Sequence, residues 1–286
     1  MAVDYDTLFF SVHDFCKSFT PWYKKQLLSG TKANQRQRAC QLELSEILTI
    51  VIAYHGSGRS CFKYFYYDLL QNGRHLFPKL VSYERFVVLI KRACPALICL
   101  FRSLTGQVTE YLFVDSTPMS VCHNRRERRH RVFKGIAAKG HTSVGFFFGF
   151  KLHMLVNTNG EIVRLAITPG NVDDRTPVRS MMTGIATKLI GDKGYISQAL
   201  SRDLLQHGTT LITKARKNME QKILGIQDKM MLLKRCFIET VFSSMKCLNT
   251  LIHHRHRHPI NAFAHIFAAL IHYQLRDDKP SLKWLS

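Results

Sequence analysis

Residues 110–115 read Glu-Tyr-Leu-Phe-Val-Asp (EYLFVD), a short apolar run of strand-forming residues that stops on a carboxylate. Two further strands are predicted downstream, 145–156 (GFFFGFKLHMLV) and 161–167 (EIVRLAI). The turn Asn157-Thr158-Asn159-Gly160 separates them, so they form a hairpin that Pro169 and Gly170 close. Asp174 then reads as the cap of a helix running to Lys188. Residues 189–192 (LIGD) form a short buried strand, 197–206 a helix and 209–213 a strand. One long helix is expected over 228–249, and another, with an almost wholly apolar face, over 259–275. This order predicts an α/β fold with a mixed sheet.

Upstream of residue 108 the spacing is helical instead. Residues 44–55 form an apolar helix that Ser45 and Glu46 help start, and Gly56-Ser57-Gly58 breaks it. Residues 60–70 are a second amphipathic stretch, closed by Asn72-Gly73. Ser82 caps a third helix over 83–93, which Pro95 is expected to stop. The chain therefore divides into a helical N-terminal domain, 1–108, and an α/β domain, 109–286. Short helices joined by tight turns suit either a DNA-binding domain or a bundle that only packs or dimerises. Lys24, Lys25, Arg36 and Arg38 tilt the balance toward DNA.

Forty-one Lys and Arg against twenty Asp and Glu leave a formal charge of +21 on 286 residues. A folded chain holds that much like charge against self-repulsion, which makes a polyanion its natural partner. A membrane is the weaker choice. The longest apolar stretches, 47–53 (with Thr49 inside) and 145–150, fall well short of the roughly 20 residues that span a bilayer. The opening MAVDYDTLFF has acids where a signal peptide has bases, so a cytoplasmic protein is expected. The eight cysteines are scattered, with no CxxC pair, and read as reduced, mostly buried thiols.

Acids are scarce, so their placement is informative. Asp115 follows Leu112, Phe113 and Val114; Asp192 follows Leu189, Ile190 and Gly191. A carboxylate at the carboxyl end of a buried strand projects into the crevice where open α/β sheets bind ligands. On neighbouring strands the two would repel, and a divalent cation relieves that repulsion. Hard oxygen ligands favour Mg2+ or Mn2+. Glu239, on the long basic helix, is the candidate third ligand and shares a face with Arg235 and Lys246. Singly, each acid reads more plainly: a turn or cap residue for either Asp, an i, i+4 partner of Arg235 for Glu239. Together, in this order and in basic surroundings, they favour a metal site.

These residues resemble those of bacterial insertion-sequence transposases. Asp115 in VDST (114–117), Asp192 in GDKGY (191–195) and Glu239 match the DDE triad. Arg235, Glu239 and Lys246 match the Y-R-E-K signature of the IS4-like group, with Leu232 standing where the signature has Tyr. In layout the chain is most similar to the IS982 family, through LFFSVHDFCKSFTPW (8–22), HRVFKGIAAKGHTSVGFFFGFKLHMLVN (130–157), PGNVDDR (169–175) and INAFAHIFAALIHYQL (260–275). The resemblance implies an RNase H-like fold in which the two Asp-bearing strands are neighbours. It implies two Mg2+ ions, for which Mn2+ can substitute, with Asp115 bridging both and Asp192 and Glu239 holding one each. It also implies cleavage and strand transfer of double-stranded DNA by a homodimer on the DNA.

The stretch 122–141 carries Arg125, Arg126, Arg128, Arg129, Arg131, Lys134 and Lys139 against the single acid Glu127. It leaves the strand of Asp115 and is expected beside the metals as a DNA-backbone clamp; the plainer reading is a solvated loop. His253-His254-Arg255-His256-Arg257-His258 reads as a basic turn between two helices, because the interleaved Arg argue against zinc. Two other functions compete: an RNase H-like nuclease that cuts and never joins, and a catalytically silent DNA-binding regulator.

Overall fold

The computed structural model describes residues 4–29, 40–142, 145–215, 223–246 and 256–282. Arg36, Arg38, Cys247 and His253 to Arg255 lie outside these. The chain forms two compact units.

The first unit holds α1 (Tyr5–Ser29), α2 (Leu44–Gly56), α3 (Phe62–Asn72) and α4 (Tyr83–Ser103). α2 starts on a capping box in which Glu46 reaches back to the backbone N–H of Glu43. It is buried almost throughout, as its apolar run Ile47–Ala53, interrupted only by Thr49, requires. Ser82 caps α4 as expected, accepting from the Arg85 N–H. The expected stop at Pro95 does not occur. A proline inside a helix costs about 3 kcal/mol, and the buried row Ala93, Cys94, Ala96, Leu97, Leu100 and Phe101 on either side of it offsets that cost.

The second unit is a six-stranded mixed sheet with helices on both faces. It begins with β1 (Tyr111–Cys122), β2 (Ala138–Thr142), β3 (Gly145–Asn157) and β4 (Ile162–Pro169). After α5 (Thr176–Met182) come β5 (Lys188–Gly191), α6 (Gln198–Gln206) and β6 (Thr210–Thr213). The strand order is β2-β3-β1-β5-β6, with β4 also paired to β3. β1 pairs antiparallel with β3, while β5 lies parallel to both β1 and β6. β2 and β4 share the far edge of β3 end to end, β2 against residues 145–149 and β4 against residues 150–156. The backbones crowd where they meet: a Cβ on Gly149 would collide with the Met119 carbonyl, and one on Gly170 with the Ala138 carbonyl. The glycine of the PGN triplet is therefore a close-approach residue.

Leu112, Val114 and Leu155 on one face of the sheet pack with Val178, Met181, Leu189, Tyr195 and Leu200. The opposite face takes α7 (Ile226–Leu233) and α8 (Phe237–Lys246); Phe237 meets Phe113 edge-on at 5.5 Å. The single helix expected over 228–249 is instead two helices joined by a 3-10 turn at Lys234–Cys236. The backbone stays right-handed from Leu233 to Phe237, so the break tightens one turn rather than reversing the chain. The helix expected from Asp174 to Lys188 also shortens to α5. Asp173, not Asp174, organises its start by accepting from the Arg175 N–H and pairing with its guanidinium. The last helix, α9 (Pro259–Leu275), belongs to the first unit, where it packs on α2 and α4. The sequence division near residue 108 assigns that helix to the second domain. Its apolar face finds its partners among helices instead.

Among the described residues seven cysteines are unpaired. Only Cys16 and Cys94 are buried, and Cys40 and Cys236 are exposed, so burial is less general than composition suggests. No described helix is long and apolar enough to cross a membrane.

Candidate active site

Asp115 does not end its strand. β1 continues for seven residues beyond it, to Cys122. What ends near Asp115 is the pairing with β5, whose last matched pair is Phe113 with Ile190. Continuing that register by two residues sets Asp192 level with Asp115. Asp192 follows Gly191, the last residue of β5, and its Oδ1 accepts from the Gly194 N–H at 3.2 Å. This turn fixes the carboxylate at the carboxyl end of β5. Asp115 Oδ1 accepts from the Ser116 N–H at 2.8 Å.

Glu239 arrives from α8, whose buried face of Phe237, Ile238, Val241, Phe242 and Met245 docks the helix on the sheet. Its Oε1 is 3.2 Å from Arg235 Nη2, so the plain i, i+4 reading of this residue is realised. Arg235 itself lies in the 3-10 turn before α8. Lys246 is exposed at the last residue of α8. Leu232 is buried on α7 and offers no hydroxyl.

The electrostatics link these segments. Burial pushes the Asp115 carboxyl up to about 6, and the like charges of Asp192 and Glu239 add to the rise. The Ser116 N–H and the Arg235 guanidinium oppose it. Four groups named from the sequence thus act on one another from three remote segments. As they stand, no group of three or more His, Cys, Asp or Glu among the described residues is arranged to hold a metal ion. Glu239 instead faces Arg235.

The sequence gives no signal for a second polar cluster, on the opposite face of β1. Ser116 pairs across the sheet with His153, which is fully buried. His153 Nε2 bonds Thr168 Oγ1 at 2.8 Å, and its Nδ1 stands 3.9 Å from Asp174 Oδ1. Asp174 also pairs with Lys151 Nζ at 3.0 Å. Burial holds the imidazole neutral, down to about 4. Tyr195, last residue of GDKGY, is buried beside Ser116; its hydroxyl makes no well-formed hydrogen bond among the described residues, and the Ser116 side chain is the polar group that opposes its raised pKa.

Residues 105–259, more than half of the chain, match the family described as transposase DDE domain. The chain belongs to the transposase DDE domain family. No curated protein matches its sequence. Among solved structures it is similar to a piggyBac transposase in a synaptic complex with hairpin DNA, with a TM-score of 0.50 and 11% identity over 94% of this chain and 74% of that one. A Mos1 mariner paired-end complex with Mn aligns with a TM-score of 0.25 and 11% identity, over 86% of this chain and 93% of that one. The piggyBac likeness is one of fold: a mixed sheet with flanking helices, RNase H-like, after a helical N-terminus. The chain is a DDE transposase, an enzyme.

Within this transposase the basic run is not where the sequence puts it. Asn124–Arg129 is a 3-10 turn beyond the far end of β1. Seven strand residues separate Cys122 from Asp115, about 20 Å at the rise of a strand. Because β1 runs on to Cys122, the run does not leave the strand beside the acids. Arg125, Arg126, Arg128, Arg129, Arg131, Lys134 and Lys139 are all exposed.

Proposed function

We propose that Asp115, Asp192 and Glu239 form a divalent-cation site at which this transposase cleaves the ends of an insertion sequence of the IS982 type and joins the freed 3′-OH ends to target DNA. The observation that carries this reading is the state of Asp115. It is a partly buried carboxyl pushed up first by desolvation and then by two further carboxylates from distant segments, with the Ser116 N–H and the Arg235 guanidinium opposing. A set of hard oxygen donors with unrelieved like charge fits Mg2+, with Mn2+ able to substitute. Two such ions, when bound, supply an activated water and stabilise the departing 3′-oxygen.

The chain's own residues do the rest. The turn at Asp192 keeps its carboxylate at the strand end. Glu239 would hold the cation in place of its half-exposed pairing with Arg235, and the guanidinium would then be open to a phosphate. Lys246 offers a second phosphate contact. With Leu232 at the signature position, any step that needs the Tyr hydroxyl is unsupported from there. Arg125, Arg126, Arg128, Arg129, Arg131, Lys134 and Lys139 hold the DNA backbone at a distance from the cut. The helical unit, with Lys24 and Lys25 exposed on α1, shares in DNA binding. Two element ends processed together call for a homodimer on DNA. For an insertion-sequence enzyme whose DNA lies in the cytoplasm, the location we propose is cytoplasmic.

The test uses purified full-length protein and oligonucleotides carrying the element's ends. Wild type cuts and joins them in Mg2+ or Mn2+. Asp192→Asn and Glu239→Gln lose both reactions and keep most DNA affinity. Retained cleavage in Asp192→Asn refutes the site. Cut ends that are never joined favour a nuclease, and tight binding without turnover a silent regulator. Each phosphate contact removed by an Arg→Ala change in residues 125–131 should flatten the slope of log K against log salt by about 0.9.

A further inference from the structure

The far end of the β2–β3 hairpin carries an aromatic ladder. Phe146, Phe148 and Phe150 alternate along β3 and so share one face of it. The segment after the arginine-rich turn covers two of the three rungs. Phe133 packs edge-on against Phe150 at 5.5 Å, and His130 against Phe148 at 6.1 Å. Phe146 is left uncovered and 60% exposed. Every other Phe, Tyr or Trp among the described residues of this unit is buried.

The surroundings of this ring are cationic. Lys139 Nζ lies 4.9 Å from its centroid, and the imidazole of His141, its cross-strand partner, meets it edge-on at 4.9 Å. Asn124 Nδ2 donates to the Phe146 carbonyl at 2.5 Å, which ties the Arg125–Arg129 turn to the same spot. Water is a poor neighbour for such a ring, and a protein partner would have to bury the surrounding positive charge. A nucleobase satisfies both demands, because its face stacks on the ring while its phosphates meet the arginines. A base inside a duplex has both faces occupied, so the base in question is unpaired.

We infer that Phe146, framed by Lys139 and His141, is a stacking platform for an unpaired base of bound DNA, whose adjoining phosphates lie on the Arg125–Arg129 turn. The inference rests on the DNA reading above but not on the metal site. Phe146 is eight strand residues from Met154, the cross-strand partner of Asp115. That is roughly 25 Å at the rise of a strand. The platform therefore holds DNA well away from the cut, at about seven base pairs by the 3.4 Å rise of a strand in duplex DNA.

The experiment measures full-length protein in EDTA against two probes. One is a blunt duplex. The other is the same duplex with a single-stranded tail of about ten nucleotides, within the site sizes of single-strand binders, that carries 2-aminopurine. Phe146→Ala should weaken the tailed probe by about ten-fold or more and abolish the fluorescence change on binding. The blunt duplex should be bound as by wild type, and Phe146→Trp should restore the tailed probe. Equal affinity of wild type and Phe146→Ala for both probes overturns the platform. An equal loss on both, or a change in oligomeric state, also overturns it, by making the ring a support of the hairpin or a protein contact. Cleavage of element ends in Mg2+ by the same preparations tests the proposed function separately. A wild type that cuts while Phe146→Ala shows no tail preference defeats this inference alone, and a wild type that binds neither probe defeats both.

Discussion

The two ends of the β1–β5 strand pair are built on opposite principles. At the amino end, Lys188 Nζ lies 3.0 Å from Asp228 Oδ1, 3.1 Å from Glu110 Oε1 and 3.1 Å from the Tyr111 hydroxyl. That hydroxyl donates to Asp228 at 2.7 Å and holds the carboxyl below its ordinary range. Acids and base are matched there, and α7 is pinned to the sheet. Four residues along β1, the Asp115 carboxyl is raised by burial and then by the like charges of Asp192 and Glu239, against which stand the Ser116 N–H and the Arg235 guanidinium. Paired charges hold a fold, whereas crowded like charges work against it and mark a site where the missing counter-charge arrives with a ligand.

The sharpest way to break this contrast is to exchange one acid at each end. Asp115→Asn should cut the rate of metal-dependent DNA cleavage by on the order of 10³, the upper range for a lost electrostatic contact at a reacting centre. Asp228→Asn should leave that rate within a few-fold, read at a temperature where both variants are folded. Equal losses would mean that the two ends do not differ in role.

Stability should move the other way. The Asp115 carboxyl is near 3.8 when unfolded and about 6 when folded, so the folded state favours the protonated form. Its contribution is fully present below about pH 4 and is lost as the pH rises through 6. The shift corresponds to at most about 3 kcal/mol. In EDTA at pH 7.5, Asp115→Asn should therefore melt higher than wild type, and the gap should close as the pH falls to 4. Added Mg2+ should raise the melting temperature of wild type and not that of the variant. At the other end Asp228→Ala should lower stability by about 2 kcal/mol, the scale of hydrogen bonds to a charged group, trimmed because Lys188 is partly exposed.

The sequence carries this contrast unevenly. Asp115 and Asp192 are legible because each follows a short apolar run, and the β3–β4 hairpin because alternation and the Asn157–Gly160 turn agree. β1 beyond Asp115 is hidden, since Ser116, Thr117 and Pro118 do not look like a strand. Pro118 is tolerated where β1 has already lost β5 as a neighbour, an edge-like setting. That one misreading moves the arginine run by some 20 Å along the strand. α4 passes Pro95 and the helix expected over 228–249 breaks at Lys234 for reasons of packing, which a linear pattern does not contain. The place of α9 follows from which apolar face meets which, a long-range fact. Tyr195 and His153 gain their interest only from burial.

Two tyrosine hydroxyls offer the finest test. Tyr111 Oη belongs to the matched end and is bonded to Asp228 and Lys188. Tyr195 Oη belongs to the crowded end; it is buried, makes no well-formed hydrogen bond among the described residues, and is raised by burial and then by Asp115 and Asp174, with the Ser116 side chain opposing and Asp192 adding to the rise. Removing a bonded hydroxyl leaves its partners short, whereas removing an unsatisfied buried one relieves a desolvation cost, each on the scale of about 1 kcal/mol. Tyr111→Phe should therefore destabilise the protein and Tyr195→Phe stabilise it, in denaturant titrations at neutral pH without metal. The ring stays in both variants, so packing is constant and the sign reads the hydroxyl alone. A loss of stability in Tyr195→Phe would show that this hydroxyl is bonded in solution, and would make the two ends of the strand pair more alike than their charges suggest.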